Sequence, residues 1–228
     1  MKKTEYDEYD YLFPSIKDSL SFGTSCSLCE QFRGTKIVWG NGKKDAHLMI
    51  IGKDSAGADD REKLWKGSRR TLIPLTNKKT GAKLRILLNK AGIDPFSVFI
   101  TNTVKCNVGY DRFNLPYSQL SKSCMRLLEK EISIVKPKAI VTLGGDVRNL
   151  VNHLSKKVET LRINTLREGE LMKYSQPYVG RFSSEIRTEI FNLKHPSYVE
   201  GKREPHYIKN LTIIRDRVGK FVETDSLS

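Results

Sequence analysis

His47-Leu-Met-Ile-Ile-Gly52 is a short apolar run closed by glycine, the pattern of a strand buried inside a parallel sheet. Two runs of the same kind follow, Ser97-Val-Phe-Ile-Thr-Asn102 and Lys138-Ala-Ile-Val-Thr-Leu-Gly-Gly145. Between them, Lys83 to Ala91 carries apolar residues at helical spacing and stops at Gly92, and Leu120 to Val135 does the same and is closed by Pro137. A fourth strand is expected at Ile190-Phe-Asn-Leu193. Strands alternating with helices imply an α/β protein, a three-layer α/β/α arrangement around a central four-stranded parallel sheet. In such sheets the ligand crevice lies at the carboxyl ends of the strands, here the loops beginning at Gly52, Asn102 and Gly144.

The flanking segments are less regular. Residues 1–22 mix acidic and aromatic side chains and read as an N-terminal arm, 155–190 as an irregular or β-containing insertion, and 207–222 as a closing amphipathic helix with Ile208, Leu211, Ile214 and Val218 on one face. A length of 228 residues suits a single domain with one well-packed core. Forty Lys and Arg against 26 Asp and Glu give a formal charge of +14, which attracts a polyanion, so nucleic acid is the natural partner. No stretch approaches the ~20 consecutive apolar residues of a membrane span, and the start lacks the apolar core of a signal peptide. A monomeric, cytoplasmic protein without a membrane partner is therefore expected.

In a reducing cytosol, cysteine clusters more often bind metal or do redox work than form disulfides. Cys26-Ser-Leu-Cys29 is a close pair, while Cys106 and Cys124 lie far along the chain. Four thiolates suit tetrahedral zinc or an iron–sulfur cluster, and spacing alone does not separate the two.

At these cysteines the sequence resembles the iron–sulfur uracil-DNA glycosylases known as family 4. In that family a Cys-x-x-Cys pair lies near the N-terminus, a third ligand ends a segment similar to Thr101-Asn-Thr-Val-Lys-Cys106, and a fourth opens the next helix, as Cys124 does here. The resemblance runs from about residue 23 to about residue 200. It includes Gly81-Ala-Lys-Leu-Arg-Ile-Leu-Leu-Asn-Lys-Ala-Gly-Ile93 and Ile134-Val-Lys-Pro-Lys-Ala-Ile-Val-Thr-Leu-Gly144, in the family's order. It implies a [4Fe–4S] cluster on Cys26, Cys29, Cys106 and Cys124, DNA as partner, and hydrolytic excision of uracil or a related deaminated base in base excision repair.

Breaking that glycosidic bond leaves positive charge on the sugar and negative charge on uracil O2. The site therefore needs an anion near the sugar and a donor at O2, with an amide to read the base edge and a flat group to stack on the extruded ring. The resemblance places Asn102 at the base edge, His195 of His-Pro-Ser at O2, and Ser197 on a DNA phosphate. The first motif departs from family 4: in place of Gly-Glu-x-Pro-Gly stands Gly52-Lys53-Asp54-Ser55-Ala56-Gly57. This looks more like the Gly-Gln-Asp-Pro-Tyr motif of family 1, whose Asp orients the attacking water, so Asp54 is the expected catalytic carboxylate and Gly52 lines the substrate. Where family 4 has a stacking Phe, this chain has Leu75; Trp65, Tyr110 and Phe113 are other candidates. In the loop after Ser197, Tyr198 or Val199 is expected to wedge into the duplex, with Lys202 and Arg203 on phosphates. The alternative reading of the altered motif is a glycosylase-fold accessory factor that binds DNA or protein without cleaving.

Overall fold

The computed structural model of the chain describes residues 40–54, 80–105, 116–161 and 177–225, with side chains through residue 219. The elements run β1 (Leu48–Gly52), α1 (Thr80–Lys90), β2 (Phe99–Asn102), α2 (Tyr117–Val135), β3 (Ala139–Leu143), α3 (Gly145–Leu154), β4 (Lys156–Thr160), β5 (Tyr178–Arg181), β6 (Arg187–Leu193) and α4 (Glu204–Asp225). They build a six-stranded sheet in the order β2-β1-β3-β6-β5-β4.

The four expected strands are β2, β1, β3 and β6, and they pair in parallel. Their apolar runs alternate between faces, as the two-residue period of a strand dictates. Leu48 and Ile50 pack with Leu84, Leu88, Leu211 and Ile214 of α1 and α4. Met49 and Ile51 pack on the other side with Leu128 and Ile132 of α2 and with Val147 and Val151 of α3. The three-layer expectation holds, and each fully buried aliphatic side chain contributes roughly 1.5–3 kcal/mol.

The sheet is wider than expected. Residues 155–190 supply β4 and β5, which extend β6 in antiparallel fashion, so the four parallel strands form part of a mixed sheet. Every residue of β4 but its last is exposed, and the Lys156-Lys157 pair on this outer strand discourages pairing with another chain. With neither face of β4 buried, no apolar alternation marks it in the sequence. Helix α3 was not anticipated either, although Val147, Leu150 and Val151 stand at helical spacing and are its buried residues. Helices α1, α2 and α4 each begin three residues before the position read from periodicity, because none of those three added residues in any helix belongs to the apolar core that sets the period. Among the described residues no helix is long and apolar enough to cross a membrane.

The registers Gly52↔Asn102, Ile51↔Thr142 and Leu143↔Leu193 bring the carboxyl ends of β1, β2, β3 and β6 to one edge of the sheet. The segments leaving that edge carry the residues singled out from sequence.

Candidate active site

The exits of β1 and β2 are stitched together beyond the sheet. The Thr103 N–H donates to Gly52 O at 2.9 Å and the Val104 N–H to Lys53 O at 3.0 Å. Thr103 Oγ1 lies 2.6 Å from Lys53 O and 2.6 Å from the Tyr117 hydroxyl. A carbonyl oxygen only accepts, so Thr103 donates to Lys53 O and Tyr117 donates to Thr103. The Lys53 ammonium bonds Asp146 at 2.6 Å and sits 4.6 Å from the centre of the Tyr117 ring. These contacts hold the backbone on which half-buried Asp54 stands. Burial raises the Tyr117 pKa to about 12, with the Thr103 hydrogen bond opposing and the charges of Asp146 and Asp54 adding to the rise. Tyr117 therefore remains a neutral phenol at physiological pH.

Asn102 ends β2 with no solvent exposure. Neither its amide nitrogen nor its carbonyl oxygen has a hydrogen-bond partner among the described residues. Leaving a buried donor or acceptor unmade costs roughly 1–3 kcal/mol, so such an amide calls for an explanation. A ligand that presents one donor and one acceptor side by side would satisfy both atoms.

His195 is half-buried at the exit of β6 and caps the 3₁₀ turn Pro196–Tyr198. Its Nδ1 lies 2.7 Å from Ser197 Oγ and accepts the Ser197 backbone N–H at 3.4 Å. An N–H only donates, so the neutral ring carries its proton on Nε2. Burial lowers the His195 pKa, and the negative charge of Asp54 partly offsets this. The two groups are thus in electrostatic reach of each other across the rim. Ser197, expected on a DNA phosphate, has its hydroxyl on His195 in this structure.

The wedge candidates separate clearly. Tyr198 is 66 % exposed, with its ring edge-on to His195 at 6.4 Å. Val199 is 1 % exposed and belongs to the core under α1 and α4. The expectation of Val199 as a wedge is therefore corrected: inserting it into DNA would empty its place in that core. Lys202 and Arg203 are exposed beside Tyr198, and the Arg203 guanidinium donates to Tyr198 O at 3.3 Å.

Cys124 is the one cysteine among the described residues; Cys26, Cys29 and Cys106 lie outside them, as do Leu75, Trp65, Tyr110 and Phe113. Cys124 is 2 % exposed, and its sulfur accepts the backbone N–H of Lys105 at 3.3 Å. Lys105 directly precedes Cys106, so this contact brings the chain of the third cysteine to the fourth. A buried sulfur that receives an N–H suits a metal-bound thiolate.

Sequence reasoning missed Thr103, Tyr117 and Asp146, whose parts depend on contacts far apart in the chain. Lys53 lay inside the first motif and was passed over as a departure from pattern; its charge is answered by Asp146, 93 residues away.

The sequence pattern of the uracil DNA glycosylase superfamily matches residues 39–213. A protein of Sulfurisphaera tokodaii described as a type-4 uracil-DNA glycosylase is 33 % identical over 122 residues, which is 53 % of this chain and 50 % of that protein. A type-4 uracil-DNA glycosylase of Pyrobaculum aerophilum is 26 % identical over 180 residues, covering 78 % of this chain and 81 % of that protein. The chain thus spans half the length of the first relative and about four fifths of the second.

Proposed function

The chain belongs to the uracil DNA glycosylase superfamily, and on that footing we propose that it is a DNA glycosylase that excises uracil or a related deaminated base in base excision repair. The observation that carries this reading is the buried Asn102 amide with neither polar atom satisfied, at the same sheet edge as Asp54 and His195. A uracil edge offers N3–H as donor and O4 as acceptor, the complement of that amide.

In the proposed reaction the base leaves the stack and its C1′–N1 bond breaks first, the electron pair passing to the base. The Nε2–H of neutral His195 donates to O2, where the negative charge gathers. The Asp54 carboxylate faces the cationic sugar and orients the water that adds to C1′. The proton released by the added water neutralises the base anion, so free base and an abasic site result. The Thr103–Tyr117–Lys53 contacts keep the Asp54 backbone in place, so little reorganisation is left for the reaction itself. Gly52 and Ser197 line the substrate, Tyr198 fills the vacated stack, and Lys202 and Arg203 take phosphates.

Cys26, Cys29, Cys106 and Cys124 are the residues to hold a [4Fe–4S] cluster, a reading supported by the Lys105 N–H on Cys124. When bound, the cluster supplies a covalent cross-link that orders the DNA-facing loops.

Single-turnover release from a labelled uracil oligonucleotide tests the function on anaerobically purified protein. Asp54→Ala and His195→Ala are each expected to slow release at least ~100-fold, a loss of ~2.7 kcal/mol of transition-state stabilisation. A parent that binds DNA but releases neither uracil, hypoxanthine nor xanthine overturns the catalytic reading in favour of a non-cleaving accessory factor.

A further inference from the structure

We propose that Glu131 and Lys105 are positioning residues, a buried clasp that holds the cysteine-bearing segments in register for the cluster. The proposal rests on the four-cysteine cluster reading above and deepens it.

Glu131 lies on α2 seven residues after Cys124 (131 − 124), roughly two helical turns along the same face. Both are buried. Its side chain has no solvent exposure, nor has that of Lys105. One carboxylate oxygen, Oε2, accepts the Lys105 ammonium at 2.5 Å and the Thr101 hydroxyl at 2.7 Å. The other, Oε1, accepts the backbone N–H of Gly40 at 2.9 Å. The Lys105 ammonium also makes a short contact with Thr101 Oγ1.

Each partner stands on a chain segment that leads to a cysteine. Gly40 is where the chain coming from Cys26 and Cys29 joins the described fold. Lys105 is the residue before Cys106, and its own N–H reaches Cys124. Glu131 shares a helix with Cys124. One carboxylate therefore ties Gly40, the first described residue, and Lys105, the residue before Cys106, to the helix that carries Cys124.

The approach at Gly40 is correspondingly close. A Cβ there would stand 2.4 Å from the Phe99 ring and 3.0 Å from Glu131 Oε1. Asn41 then exchanges both backbone hydrogen bonds with Ile100, at 2.8 and 2.7 Å, so the segment is anchored beside β2 at that point. An apolar pair would fill the same volume as Lys105 and Glu131. The buried charges add direction, because neither can shift without leaving its partner unpaired in the core. The proposed base-excision chemistry uses none of these groups: Thr101 turns towards α2, whereas Asn102, next along the strand, turns to the other face.

The test follows bleaching of the absorbance near 400 nm when anaerobically purified holoprotein meets an excess of iron chelator, at a temperature where circular dichroism shows every variant folded. The Lys105 backbone N–H is the outer-sphere partner of the Cys124 sulfur, and Glu131→Gln loosens the side chain that holds it; such partners typically govern metal affinity 10- to 100-fold, so Glu131→Gln is expected to bleach at least ~10-fold faster than the parent. The double variant Lys105→Met/Glu131→Gln leaves no unpaired charge and guards against a simple failure to fold. It too should bleach faster, because the ammonium tether beside Cys106 is gone, and Gly40→Ala should do likewise by prising the first segment from the carboxylate. Bleaching at the parental rate in the folded double variant and in Gly40→Ala overturns the clasp alone. A parent without iron and without the absorbance band overturns the cluster reading and the clasp with it.

Discussion

Thr101 and Asn102 are neighbours on β2, both without solvent exposure, yet their surroundings are opposites. On the α2 side, Thr101 joins Lys105 and Glu131 in a cluster whose polar atoms answer one another. On the α1 and α4 side, the Asn102 amide has no partner among the described residues. Both arrangements put polar groups where burial is costly. The first recovers that cost within the fold, whereas the second does not recover it among the described residues, and under the proposed function a bound base would.

The sharpest way to break this contrast is to break the ion pair. Glu131→Gln strands the Lys105 ammonium in the core and is expected to destabilise by about 3–5 kcal/mol, with much of this restored when Lys105→Met is added. Equilibrium denaturant unfolding measures it, and a loss below ~1 kcal/mol would place the pair with ordinary surface salt bridges. Next in size is the effect at Asn102, whose sign differs between two readouts. Asn102→Ala should reduce uracil release at least ~100-fold, about 2.7 kcal/mol, while leaving stability unchanged or slightly improved because an unsatisfied amide is removed. Destabilisation comparable to Glu131→Gln would show that the amide serves the fold after all.

The smallest expected effect concerns His195, whose Nδ1 is satisfied by Ser197 and whose Nε2 the proposed function gives to the base. Burial lowers its folded-state pKa, so on acidification the unfolded chain takes up its proton first, near the usual value of ~6.5. Its contribution is fully present above that pH and is lost as the pH falls towards the depressed folded value. His195→Gln should therefore flatten the dependence of melting temperature on pH below ~6.5. An unchanged slope would show that His195 is as well solvated folded as unfolded.

Much of the sheet was legible because its four parallel strands are buried on both faces, and such strands read as unbroken apolar runs. β4 escaped because its edge position leaves its side chains in water. Asn102, Asp54 and His195 could be named as candidates because each stands directly at or after a strand end, and the structure brings these strand ends to one edge of the sheet. Val199 was misread for the same reason: loop position alone does not show that a side chain turns into the core. Nothing local pairs Lys53 with Asp146, Tyr117 with Thr103, or Glu131 with Gly40.

By itself the sequence determined the class of fold, the order of the parallel strands' motifs and the superfamily, since these rest on short-range periodicity and on residue types at fixed spacing. Only the tertiary structure decided which polar groups are satisfied. Whether a buried amide or carboxylate finds a partner depends on segments tens of residues apart meeting within about 3 Å, the reach of a hydrogen bond, and linear order does not encode that distance.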